Sequence, residues 1–254
     1  MHDPYAIDAR YYDLITPEDP GDIGLWLSYA GRTDRPVLEV GTGTGRIALA
    51  LARAGHQVTG IDPSAAMLAV ARAKAEADAL DVTFVEGRAQ DLALEQGHYG
   101  LAIVPADVFL YCEDGEEQRA VLRALGACLH FNGLLAIDVP GPALWLDPGT
   151  NGQPLLAHTS RLDDGSSLDV WHVHEDHLAA QTRDLLVTYD VTTPEGELKR
   201  WRSEHRLRYV YPFELEYLVH LAGLALVDCY GDYDLGPLTN ESDRMIAIAR
   251  RTDG

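Results

Sequence analysis

Cysteine is scarce and scattered in these 254 residues: Cys112, Cys128 and Cys229 are the only three. That excludes a disulfide framework and a cysteine-based zinc site, and it suits a reducing, cytoplasmic setting. No apolar run is long enough to cross a bilayer. The opening "MHDPYAIDARYYDLI" has neither the basic start nor the apolar centre of a secretory signal. Basic residues are in deficit, 20 Lys and Arg against 40 Asp and Glu, for a formal charge of −20. Such a surface repels nucleic acid and anionic membranes, whose binding rests on neutralised phosphates. The partners it leaves are neutral or cationic small molecules. Internal repeats and low-complexity tracts are absent too.

What is present alternates. Asp3-Pro4 starts a short helix that runs to about Ile15, and "IGLWLSYAG" reads as a second. From residue 36 short apolar strands ("PVLEV", "QVTGI", "VTFVEG", "YGLAIVP", "LLAIDVP") exchange with amphipathic helices. The helix before the fifth strand spans "GEEQRAVLRALGACLHFNG", and Ser64 caps the helix after the second. This rhythm predicts a parallel sheet wrapped on both faces by helices. After a Pro- and Gly-rich break at 140–160, three long strand-like segments read as an antiparallel meander. A helix starting at Pro212 and the strands "LALVDCYGD" and "RMIAIARR" follow. We expect one domain over 1–254: an N-terminal helical cap at 1–35, a core at 36–139 and 212–250, and an antiparallel insertion at 140–211.

The first strand runs into a glycine loop, "PVLEVGTGTGR". Glycines after a strand and before a helix let a nucleotide-type ligand approach the backbone and the helix N-terminus. No Gly-Lys-Ser/Thr follows, which excludes a P-loop. A dinucleotide fingerprint needs Gly-x-Gly-x-x-Gly, and Arg46 stands where its third glycine belongs. The spacing is Gly41-x-Gly43-x-Gly45, with Glu39 two residues ahead. Asp62 ends the second strand, where a carboxylate accepts both hydroxyls of an adenosine ribose.

This loop resembles motif I of the class I S-adenosylmethionine-dependent methyltransferases. "VTGIDPSAAML" is similar to that family's second-strand segment, "VEGRAQDL" to its third-strand loop, and "RYVYPFELEYLVHLAGLALVDCYGDYD" to its late helix and strand. The resemblance covers about residues 36–139 and 205–250. In the third-strand loop Arg88 replaces the family's Asp, which shifts adenine reading to Gln90 or Asp91. The fold implied is α/β and Rossmann-like: a seven-stranded, mostly parallel sheet in the order 3-2-1-4-5-7-6, its last strand antiparallel. The cofactor implied is S-adenosyl-L-methionine. The resemblance assigns it Gly41 and Gly43 beneath the methionine part, Asp62 on the ribose, and Ala89, Gln90 and Asp91 around adenine. It sets Met67 against the adenine ring and Ala106 and Asp107 near the sulfonium. Thr42, Arg46 and Pro63 complete the set. A cofactor without phosphate also suits the acidic charge.

The resemblance implies a small-molecule acceptor under the cap and the insertion. In small-molecule members an N-terminal Tyr closes over the cofactor; "DARYYDLI" offers Tyr12, then Tyr11. The alternative for both is packing. In "WHVHEDH", His172 and His174 share one face of a strand. They are catalytic candidates, one serving as general base. They are also open to reading as solvent-facing residues, or as metal ligands with His205 or Asp176, although no recognised metal spacing is present. The basic stretch "ELKRWRSEHRLRY" reads as a charged strand face, an anionic-group contact or a subunit contact. Long insertion strands suit a homodimer. The expected activity is in-line methyl transfer to a nitrogen or oxygen of a small molecule. Its rivals are an NAD-type oxidoreductase and a non-catalytic S-adenosylmethionine-binding protein.

Overall fold

The computed structural model describes residues 3, 5–145 and 148–252. Pro4, the expected first helical residue, lies outside the described residues. Helix α1 is Ala6–Ile15 and α2 is Ile23–Ala30. The core follows as β1 Val37–Val40, α3 Arg46–Arg53, β2 Val58–Asp62, α4 Ala65–Ala77, β3 Val82–Glu86, β4 Tyr99–Val104, α5 Gly115–Cys128 and β5 Leu129–Pro140. Four strands intervene: β6 Leu155–Arg161, β7 Ser167–His177, β8 Thr182–Thr192 and β9 Leu198–Arg208. The chain returns through α6 Pro212–Leu221, β10 Leu224–Tyr230 and β11 Arg244–Arg251.

The main sheet has the order β10-β11-β5-β4-β1-β2-β3. With β11 as seventh and β10 as sixth core strand, this is the expected 3-2-1-4-5-7-6. Strand β11 runs antiparallel to both neighbours, as expected. Strand β4, in the middle of the sheet, is buried along its whole length because both faces are covered. Leu101 and Ile103 of β4 pack with Trp26, Ile47 and Leu51 on one face. Ala102 and Val104 pack with Leu122, Leu125 and Val219 on the other. Ser64 caps α4 by accepting from Met67 N at 3.1 Å.

Two boundaries differ from expectation. The helix read as 115–133 stops at Cys128, and "LHFNG" opens β5. Leu129 is fully buried and pairs with Tyr99, while Asn132 takes φ 63°, which no helix continues through. The insertion has a fourth strand, β6, on the edge of the second sheet. Most of its residues are exposed, so it shows no hydrophobic alternation to read.

The second sheet, β6-β7-β8-β9, is antiparallel. Its inner face carries Leu168, Val170, Val187 and Tyr189, which close a third core around Tyr11 of α1. Its outer face carries charge. Arg200 and Asp190 sit opposite each other and pair at 2.6 Å; Arg206 and Asp184 do likewise. Two basic residues of β9 are therefore matched by acids on β8, and Arg208 pairs with Glu214 of α6.

Candidate active site

The glycine loop joins β1 to α3 at the carboxyl edge of the main sheet. Gly41 has φ 68°, and a Cβ there would collide with the side chain of Val108. Asp62 ends β2 with its carboxylate fixed: Gly43 N donates at 2.9 Å and Ser64 N at 2.8 Å. A carboxylate accepts about four hydrogen bonds, so capacity for two hydroxyls remains. Glu39 is buried, and its carboxyl is pushed up to about 8 by burial, opposed by the Thr42 hydroxyl and the Arg46 charge. Thr42 Oγ1 donates to it at 2.7 Å.

A cavity of 520 Å³ opens beside this loop. Gly41, Pro63, Ala89 and Gln90, all assigned from sequence, line it. Met67 is buried on α4, and Asp91 is exposed. Two assigned side chains are held in ion pairs. Arg46 grips Asp22 with two hydrogen bonds at 2.6 and 2.7 Å, and Asp107 pairs with Arg244 at 2.7 Å. Arg244 also binds Asp138, which accepts from Ala106 N and from Tyr233 Oη as well. This buried cluster pins the turn after β4, where Ala106 and Asp107 hold positive φ. The turn leads into the 3-10 segment Val108–Tyr111, whose Val108 meets Gly41. Arg88, the departure from the family pattern, pairs with Glu117 at 2.8 Å and donates to Tyr111 O. Gln90 donates to the same Glu117.

A cradle with no room for a Cβ, a fixed carboxylate on the neighbouring strand and a mostly apolar cavity between them fit an adenosine-type ligand. No phosphate-binding cation stands in the loop, because Arg46 is committed to Asp22. The residues fit S-adenosylmethionine.

The same cavity is lined by side chains that the sequence did not assign to it: Tyr5, Tyr111 and His205. Tyr5 stacks on His205 at 5.6 Å, and Tyr111 meets the same ring edge-on at 5.7 Å. Tyr12 is partly buried and does not line the cavity, although it feels the charges of Arg46 and Glu39. Tyr11 is a packing residue, stacked on Tyr189 at 5.3 Å.

His172 and His174 do share a face, the inner one. Cross-strand rows run His172–Val187–Ser203 and His174–Leu185–His205. Burial, then the charges of His205 and His174, lower the pKa of His172. His174 is buried, so the solvent-facing reading does not hold for it. Among the described residues no three His, Cys, Asp or Glu are arranged to hold a metal ion, so the ligand set His172, His174 and His205 or Asp176 is not formed.

The comparisons with known proteins agree with this geometry. Residues 37–133 match the family model described as a methyltransferase domain. The cypemycin N-terminal methyltransferase of Streptomyces is 27% identical across 99% of this chain and 98% of its own. A Geobacillus protein that bears a methyltransferase name is 32% identical over 145 residues; the chain spans 57% of its length. Among solved structures, the CcbJ methyltransferase of Streptomyces caelestis superposes with a TM-score of 0.79 at 27% identity, covering 96% of both chains. The amino pentose methyltransferase CalS10 of Micromonospora echinaspora, bound to S-adenosylmethionine, shares the fold: TM-score 0.71, 18% identity, 97% of this chain and 96% of that one. Residues 37–133 form a methyltransferase domain, and the similarity to named methyltransferases over nearly the whole chain, together with the glycine-loop site, fits S-adenosylmethionine as the cofactor.

Proposed function

We propose that this protein transfers a methyl group to a nitrogen or oxygen of a small molecule, with nitrogen preferred. The observation that carries the reading is the cavity itself, lined both by cofactor-type backbone at Gly41 and by the side chains of Tyr5, Tyr111 and His205. S-adenosylmethionine supplies a methyl on a sulfonium, an excellent leaving group. The chain must then orient the two reactants and exclude water, and orientation alone is worth ~7–11 kcal/mol. Gly41, Gly43, Asp62, Pro63, Met67, Ala89 and Gln90 would hold the cofactor. Tyr12, beside the glycine loop, keeps a candidate role in closing over it, and His172 and His174 keep theirs as proton-handling groups beside the acceptor.

Names among the relatives support nitrogen: one is an N-terminal methyltransferase, and the structural neighbours include an amino pentose and a sugar N-methyltransferase. The charge of −20 favours a cationic or neutral acceptor over nucleic acid. Among the described residues no helix is long and apolar enough to cross a membrane, and the three cysteines are free, in keeping with a cytoplasmic enzyme. The edge strand β6, with Leu155 and Leu156 exposed, suits a homodimer contact. Sedimentation showing only monomer at micromolar protein removes that part.

The test is methyl transfer from labelled S-adenosylmethionine to three acceptors: methyl glucosaminide, a dipeptide amide with a free amino terminus, and methyl glucoside. Label in any of them, with S-adenosylhomocysteine formed in step, is the expected result. Tight cofactor binding with no transfer across a wide panel contradicts the reading and favours a non-catalytic binding protein.

A further inference from the structure

We infer that His205, held by Asp8, is the catalytic base that takes a proton from an ammonium-type acceptor at the junction of two cavities. This rests on the methyl-transfer reading above. The second cavity, of 780 Å³, shares Glu113, Glu204, His205 and Arg206 with the first. Its other carboxylates include Asp114 and Glu175, whereas Arg206 is matched by Asp184. An amine that is protonated in water meets an acidic mouth there, and His205 stands where that mouth reaches the cofactor side.

The hydrogen-bond directions fix which nitrogen acts. Burial opposes the charge on Asp8, but the neighbouring His205 and hydrogen bonds from Ser203 and Tyr189 outweigh it and keep the carboxyl below its ordinary range. Asp8 is therefore an acceptor only. Tyr189 Oη and Ser203 Oγ each donate to its Oδ1 at 2.6 Å. With its one hydrogen spent on Asp8, Ser203 Oγ can only accept from His205 Nε2, 3.1 Å away. Asp8 Oδ2 is buried without a hydrogen bond, 3.4 Å from the same Nε2. The hydrogen thus sits on Nε2 and the lone pair on Nδ1, and the nearby carboxylate stabilises the imidazolium once Nδ1 is protonated. The groups that face this ring are Asp8 and Tyr5 from the N-terminal segment, Tyr111 from the 3-10 segment, and His172 and His174 from β7.

The step balances. The acceptor ammonium gives one N–H proton to Nδ1. Its freed lone pair forms the new N–C bond while the C–S bond breaks and leaves its electron pair on sulfur. The positive charge of the sulfonium ends on the methylated nitrogen, and His205 passes its proton to solvent. Without the base only the rare neutral amine reacts, so the loss falls on turnover at low pH. Asp8 is a positioning residue in this scheme, acting through the ring.

The experiment compares the parent with His205→Gln and Asp8→Asn, using methyl glucosaminide and the dipeptide amide as probe amines and methyl glucoside as the hydroxyl counterpart. Calorimetry with S-adenosylhomocysteine first shows that each variant is folded and keeps its cofactor site. His205→Gln is expected to lower kcat by ~10²-fold with little change in KM and to move the acidic limb of the pH profile up to the titration of the acceptor amine itself. Asp8→Asn should lower kcat less and leave KM unchanged, a split that a merely structural role would not give. Parent-like turnover and pH profile in His205→Gln overturn the inference and leave the methyltransferase reading intact. Transfer to methyl glucoside alone overturns the ammonium acceptor. An inert panel with the cofactor bound overturns the methyl-transfer reading and this inference together.

Discussion

The two sheets build their halves of the cavity by different means. The parallel sheet contributes backbone: a turn in which Gly41 has no space for a Cβ, two N–H groups on Asp62, and helix α3 beginning where the turn ends. The antiparallel sheet contributes side chains, with His205 brought to the cavity by cross-strand register and held by a carboxylate from α1. The ion pairs differ as well. Those beneath the parallel sheet's carboxyl edge are buried and support the turn after β4; several on the outer face of the second sheet are open to water. One wall is fixed by local spacing and buried charge, the other by the packing of distant segments.

The largest effect expected from breaking this contrast is Arg244→Met. Asp138 is fully buried, and removing its cation leaves two carboxylates uncompensated. Denaturant unfolding should show a loss of about 3–5 kcal/mol. Glu39→Gln should act in the opposite direction. Folded Glu39 keeps a proton up to about pH 8 that the unfolded chain gives up near its ordinary 4.5. Its cost is absent below the lower value and grows as pH rises to the upper one. The Gln variant of the cofactor-free protein should match the parent near pH 4.5 and exceed it at pH 8, by on the order of 3 kcal/mol in urea unfolding. Asp62→Ala should weaken S-adenosylmethionine binding by about 1.5–3 kcal/mol in calorimetry, and unchanged affinity in a folded variant removes its ribose role. Arg200→Ala, on the exposed face of the second sheet, should cost ~0–1 kcal/mol, because water and salt screen that pair. An Arg200 variant as damaged as the Arg244 variant would erase the distinction between the two sheets.

The same contrast explains what could be read from the chain. The glycine spacing and Asp62 lie close together in sequence, and the strand order comes with the family resemblance that these motifs carry, so they were legible. Glu39 was visible as an acid ahead of the loop, but its burial was not. Asp8 meets Tyr189 and Ser203 across 181 and 195 residues, and no spacing rule spans such distances. In the sequence His205 stands out only as an alternative third metal ligand and as part of a basic stretch. Strand register shows instead that it forms a row with His174 and meets Tyr5 and Tyr111. Tyr5 reaches the cavity from the residues before α1, a path that the motif "DARYYDLI" does not encode. The extra strand β6 was missed because an exposed edge strand needs no apolar face. Arg46 fell into the cofactor set by its place in the motif, yet its charge belongs to the buried Asp22.

The most direct test of the central claim is calorimetric titration of the protein, first freed of any co-purified ligand, with S-adenosylmethionine, S-adenosylhomocysteine and NAD. The account predicts one site that binds the first two and ignores NAD. Binding of NAD alone, or of none of the three, would contradict it.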